Sequence, residues 1–151
     1  MTVPMTFQSI SARNGLPLLF AGQAQKEIVI NEALLRLDAL VHCAIEDERN
    51  DPPAEPLEGQ SWLVGPEPVG VWAEQAGFIA SFSGSDWLYQ APYPGFRCWN
   101  KATMQFQSYT SEWVAPVQPF PAEGGTTIDV EAREAIASIL NILTEAGIFR
   151  R

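Results

Sequence analysis

"GLPLLFAGQAQKEIVINEALLRLDALVHCAI", residues 15–45, admits two readings that lead to different proteins. Its short apolar core and small-x-x-small ending resemble a secretory signal with a cleavage site. It also reads as an extended segment feeding an amphipathic helix. The signal reading lacks a basic start, since Arg13 is the only cation before Gly15. Pro17 breaks the apolar core by removing a backbone donor. Further on, Ile30, Leu34, Leu37 and Val41 fall at helical spacing, with Ala33, Leu40 and Ala44 beside them. Gln25, Glu32 and Arg36 fall on the other side, and Glu32 and Arg36 stand at the favourable i, i+4 separation. The pattern predicts a helix from about Gln23 to Ala39 or slightly beyond, preceded by an extended segment. No run reaches the roughly 18 apolar residues of a membrane span.

The length of 151 residues suits one domain, and 46% apolar composition suffices for a core. A formal charge of −9 disfavours nucleic acid and anionic membrane surfaces, which both require clustered cations. Cys43 and Cys98 lie in separate segments, too few for a disulfide framework, so buried free thiols and synthesis in a reducing compartment are expected.

Residues 46–59, "EDERNDPPAEPLEG", read as a linker or long loop because X-Pro steps favour extended chain. Between Gln60 and Ala115, short aromatic and β-branched runs alternate with Gly, Pro, Ser and Asn. That pattern predicts a small antiparallel β module, a barrel or sandwich. Two stretches within it, "FSGSDWLYQAP" at 82–92 and "YTSEWVAPVQP" at 109–119, read as hairpins of one chemistry: an aromatic residue, a polar turn, an acid and a Trp. Residues 117–125 form a hinge. A final amphipathic helix follows, with Asp129 as N-cap and Glu131 in the first turn. It carries an apolar stripe of Ile136, Ile139, Leu140 and Leu143, and Gly147 is its left-handed stop, with Ile148 able to pack back. In heptad terms Ile136 and Leu143 take a, while Ala132, Ile139 and Ala146 take d, for barely two heptads.

The expected fold class is therefore α+β: a β module flanked by an N-terminal and a C-terminal amphipathic helix. Residues 1–14 are a separable extended tail, residues 15–116 the core domain, and residues 117–151 the hinge and last helix. Within the tail, Phe7 and Ile10 are candidate anchors to a neighbouring molecule. The helix stripes, through Leu34, Leu37, Ile136, Ile139 and Leu143, are candidate assembly surfaces.

Catalytic chemistry has few residues to work with. His42 is the only histidine and adjoins Cys43, and neighbours one position apart do not face each other on a helix. It reads as a helix-end residue. Neither a phosphate-binding glycine loop nor a G-x-S-x-G elbow occurs, and "GPEPVG" lacks the lysine and the helix that should follow. Asp86 and Glu112, each just before a Trp, form the remaining pair with a catalytic precedent, that of glycosidases. Acids in turns have backbone reasons of their own. Trp72, Trp87, Trp99 and Trp113 are candidates for stacking on sugars, against the alternative that they build the core. The residues imply no catalytic site, no metal site and no cofactor.

"GLPLLFAGQAQKE", the Asn31 and Leu37–Asp38–Ala39–Leu40 positions, "EGQSWLVG", "GVWAEQAGFIASF" and "GFRCWN" together resemble a family of uncharacterised domains found in prophages and gene transfer agents, phage-like particles that carry host DNA between bacteria. The C-terminal "TTIDVEAREAIASILNIL" resembles a tail segment that often follows, so the likeness spans about residues 14–146. It implies a non-enzymatic particle protein, similar to the base of a head spike that joins capsid protein to a fibre protein. The resemblance further implies a location on the particle exterior, synthesis in the cytoplasm and release by lysis. A spike base at a vertex implies a homo-oligomer, with a pentamer favoured. A second expectation is a carbohydrate-binding module touching capsular polysaccharide through its tryptophans.

Overall fold

The computed structural model describes residues 10–19, 26–83, 86–121 and 123–150. Helix α1 (Lys26–Leu40) leads into β1 (Ala44–Ile45), β2 (Glu48–Arg49) and β3 (Ser61–Val64). A single 3-10 turn (Gly70–Trp72) precedes β4 (Ile79–Ser83), β5 (Asp86–Gln90), β6 (Arg97–Asn100), β7 (Gln105–Tyr109) and β8 (Trp113–Val114). Helix α2 (Val130–Glu145) closes the chain. The strands form two four-stranded sheets, ordered β1-β6-β7-β8 and β2-β3-β4-β5. The α+β class, with helices flanking a β module, is as the sequence predicts. The predicted first three residues of α1, Gln23 to Gln25, lie outside the described residues.

Two pairings differ from an all-antiparallel module: β1 runs parallel to β6, and β2 parallel to β3. Residues 44–49 leave α1 and pair first with one sheet, then with the other. Glu46 N–H donates to the Ser61 carbonyl and Lys101 N–H to that of Ile45, so one short segment is shared by both sheets. Part of the stretch read as a loop, 46–59, is thus strand. Its local composition is turn-like, and only partners distant in the chain supply its ladder.

Alternation along the strands divides the core in two. Leu63 and Ile79 face inward and join Cys43, Ile45, Phe96 and Cys98 in one buried cluster drawn from both sheets. Trp62, Val64 and Ala80 point the other way and are covered by Trp72 from the 3-10 turn. A third, smaller cluster of Leu18, Leu35 and Leu88 seats α1 on β5. Both predicted hairpins form, and their shared chemistry is a cross-strand aromatic pair. Phe82 opposes Trp87 and Tyr109 opposes Trp113. The rings meet edge-on at centroid distances of 5.2 and 5.5 Å.

Candidate functional site

Helix α1 turns polar residues inward. Asn31 is fully buried and forms a matched pair of hydrogen bonds with Leu19: the Leu19 N–H donates to Asn31 Oδ1 at 2.8 Å, and Asn31 Nδ2 donates to the Leu19 carbonyl at 2.8 Å. Asp38, also buried, accepts from the backbone N–H groups of Arg13 at 2.8 Å and Asn14 at 2.6 Å. Burial pushes its pKa up, but hydrogen bonds from Ser11, Arg13 and Asn14 outweigh this and hold it below the ordinary 3.8. Arg13 then reaches the end of α1, where its guanidinium donates to the carbonyls of Ala39 and His42. His42 itself adopts a left-handed backbone, with φ of 51°, and serves as a helix terminus.

The last residues of the predicted 1–14 tail therefore belong to the core domain. Arg13 and Asn14 satisfy Asp38, and the Cβ of Ala12 lies 2.9 Å from where a side chain on Gly59 would begin. Cutting after residue 14 would strand a buried carboxylate, so a separable tail must end before Ser11. Phe7 lies outside the described residues. Ile10 is exposed and pairs with Pro17 in an isolated bridge.

With Asn31, Leu35, Asp38 and Ala39 facing in, the predicted stripe Ile30–Leu34–Leu37–Val41 does not line the core. Leu34 is half-buried against the Leu18 cluster, while Ile30, Leu37 and Val41 are exposed. Val29, Ile30, Ala33, Leu34, Leu37, Leu40 and Val41 occupy roughly 140° of the helix circumference at 3.6 residues per turn. None of these seven carries a charge, while Lys26, in the first turn of α1, falls within the same arc. Glu32 and Arg36, paired at 2.8 Å, stand at its border, and Arg36 also donates to the Tyr89 carbonyl on β5. Each exposed Ile, Leu or Val forgoes about 1.5–3 kcal/mol of burial.

Helix α2 presents a similar face by a different attachment. Asp129 Oδ1 accepts from Ala132 N–H at 2.9 Å, which caps the start as predicted. At its end Gly147 N–H donates to Thr144 and Ile148 N–H to Leu143, a Schellman closure with Gly147 at φ of 72°. This end is docked: the Trp99 ring lies 2.2 Å from where a Cβ on Gly147 would be, and Phe106 N–H donates to the Gly147 carbonyl. Gln105 Nε2 donates to the carbonyls of Pro116 and Ile148, tying both ends of the final segment to β7. Leu140 is the helix's one buried residue among those described. Leu143 is half-buried, while Ile136, Ile139 and Ile142 are exposed. With Ala132, Ala135 and Ala146 they form a charge-free face roughly 120° wide.

The tryptophans considered for sugar contact do not form a row. Trp72 is completely buried, its ring centroid 4.9 Å from that of Trp87, and it cannot stack on a ligand. Trp87 also meets Trp62 and Phe82. Trp99 packs edge-on against Phe106 at 4.9 Å beneath Gly147. Trp113 borders an opening. A cleft of about 430 Å³ between the sheets is lined by Trp113, Tyr109, Ser111, Glu112, Glu48 and Pro66, among others. The Trp113 indole N–H is engaged by the Gly77 carbonyl at 2.8 Å, which fixes the ring at the rim. Glu48 has its pKa raised, first by burial and then by the neighbouring Asp47 charge.

Asp86 does not share that cleft. It starts β5 of the other sheet and accepts from the Trp87 N–H, so the acid lining the cleft with Glu112 is Glu48. Both cysteines are free and buried, as expected, and burial pushes the Cys43 thiol up to about 11 and Cys98 to about 12. Among the described residues no group of His, Cys, Asp and Glu could hold a metal ion, and no helix is long and apolar enough to cross a membrane. The polar clamp escaped the sequence reading, yet a signal existed: Asn31 and Asp38 are seven residues apart, on one face of the helix.

A family model described as a protein of unknown function (DUF2793) matches residues 30–114, more than half of the chain. The match runs from Ile30 in α1 through all eight strands to Val114, leaving out residues 14–29 and 115–146, on which the sequence resemblance also drew. No curated protein and no solved structure matches.

Proposed function

We propose that this chain, which belongs to the DUF2793 family of proteins of unknown function, is a non-enzymatic structural protein of a phage-like particle of the gene transfer agent kind. In this reading it is the base of a head spike: a homo-oligomer, with a pentamer favoured, that joins capsid protein to a receptor-binding fibre. It is made in the cytoplasm, released by lysis and carried on the particle exterior. The sequence resemblance to particle proteins is what suggests this role. The observation that carries it is the pair of exposed apolar helix faces, one on each flank of the β module, which suit an adaptor that must contact several neighbours. Electron microscopy of particles made without this protein tests it. They should lack spikes and regain them when the purified protein is supplied; spikes at normal number on such particles would refute the role.

A second reading has one specific observation in its favour, the cleft at Trp113. An aromatic rim formed by Tyr109 and Trp113 with Glu48, Ser111 and Glu112 inside it is the kind of surface that holds a sugar ring. Trp87 and Trp99 take no part, being packed in ring clusters elsewhere. Titration of the protein with capsular polysaccharide, followed by Trp fluorescence, should show binding that Trp113→Ala abolishes. No binding by the wild-type chain would end this reading.

A further inference from the structure

We propose that the cleft beside Trp113 takes a sugar bearing a free, protonated amino group, with its ring against Trp113 and its ammonium at Glu48 and Glu112. The proposal rests on the carbohydrate reading of this cleft and adds the class of sugar. The opening, about 430 Å³, lies within the roughly 300–1,000 Å³ usual for small-ligand sites. It stands between the two sheets, with Glu48 supplied by β2 of one and Tyr109 and Trp113 by β7 and β8 of the other.

Charge selects the occupant. The lining holds two carboxylates, Glu48 and Glu112, and no Lys, Arg or His. Arg49, the residue after Glu48, is engaged elsewhere, by Asp51. Among the described residues neither cleft carboxylate has an ion-pair partner. Burial, and then the Asp47 charge, raise the Glu48 pKa, as happens where negative charge lacks a counterion. An ammonium supplies that counterion through charge-assisted hydrogen bonds. A uronic acid would instead add a like charge to a chain already at −9. A neutral or N-acetylated sugar would strip water from the carboxylates and leave them unpaired.

The aromatic wall adds to the same preference. The Trp113 indole N–H is engaged by the Gly77 carbonyl, which leaves the ring's π-surface for a ligand. That surface attracts a cation as well as the apolar face of a sugar. A lysine-bearing peptide shares the ammonium but suits the cleft less. Extended peptides add to sheet edges through main-chain ladders, and the edge strands here, β2 and β8, are two residues each.

The test titrates four probes into the full chain at a pH that keeps amines protonated, read by Trp fluorescence and calorimetry. They are a β-linked glucosamine tetramer, its N-acetylated counterpart, a galacturonate tetramer and trilysine. The glucosamine tetramer should bind at least about tenfold tighter than each of the others, as one added charge pair near a surface would give. The isosteric changes Glu48→Gln and Glu112→Gln should each cut that preference severalfold with circular dichroism unchanged; if one misfolds, the other carries the test. Equal or tighter binding of the acetylated or galacturonate tetramer would overturn the amino-sugar class and leave the carbohydrate reading standing. Trilysine binding as tightly as glucosamine would overturn it in favour of a cationic peptide. Binding of no sugar ends the inference together with the carbohydrate reading, and a preference that survives both substitutions overturns the role of the two carboxylates.

Discussion

Helix α1 is fixed along its length, with Asn31 and Asp38 reading the backbone of residues 13–19 and Leu35 packed on Leu88, whereas α2 is fixed at one end, where Gly147 lies on Trp99. Both expose an apolar face. In α1 the reason is internal: hydrogen-bonding groups occupy the buried side, and a polar group inside stays only when its partners are satisfied. In α2 the reason is reach, since the helix is docked at its C-terminal end and Leu140 is its one buried residue among those described. The contrast shows that apolar spacing marks a stripe without saying what covers it.

The sharpest way to break this contrast is at Asp38. Asp38→Ala leaves the Arg13 and Asn14 N–H groups without their acceptor and should cost about 3 kcal/mol of global stability. Urea denaturation measures it, and a loss below about 1 kcal/mol would mean that the clamp is ornamental. Gly147→Ala comes next and should act locally. Its Cβ would fall 2.2 Å from the Trp99 ring on a left-handed backbone, so α2 should undock at a cost of about 2 kcal/mol. Hydrogen exchange should then speed up in residues 140–149 while β3 and β4 keep their protection; uniform protection throughout would contradict one-ended docking.

Acid should separate the two attachments more gently. Asp38 titrates below 3.8 in the folded chain, so the stability it supplies is complete above that value and is lost as pH falls through the folded pKa. Between neutral pH and about 4 the α1 clamp should hold, and below that it should loosen while the Trp99–Gly147 contact does not. The effect should be smaller than that of Asp38→Ala, because a protonated carboxyl still accepts. Near-identical acid profiles for the wild type and Asp38→Asn would show that Asp38 is not the sensor. The smallest effect belongs to the outward faces: Leu37→Ser and Ile139→Ser should change the stability of the dissociated chain by no more than about 0.5 kcal/mol. A larger loss in either would mean that the face is covered within the chain itself.

The sequence announced α2 almost completely, from the Asp129 cap to the Gly147 stop, because capping chemistry is local and each signal lies within a turn of the group it satisfies. The paired hairpins were legible for a similar reason, their aromatic pairs lying close in the chain. Trp72 was legible as an aromatic of the β module but not as a fully buried one. Its burial depends on a 3-10 turn placing it over Trp62 and Val64, neighbours chosen by sheet alternation. The cleft at Trp113 was equally hidden, since Glu48 and Pro66 reach it from another part of the chain.

By itself, the sequence determined an α+β chain with two helices of known spacing, a strongly acidic surface, free thiols and an aromatic β module. These follow from composition and from interactions over three or four residues. Only the tertiary structure decided that residues 44–49 pair in parallel with both sheets, that Asn31 and Asp38 face inward, and that the apolar stripe of α1 therefore faces out. Each of those outcomes depends on partners 12 to 55 residues away: Leu19 for Asn31, Arg13 for Asp38, Leu63 for Glu48 and Trp99 for Ala44. Helical periodicity fixes which side chains share a face, but the side turned to the core is chosen by whichever distant groups can satisfy the polar atoms that go inside.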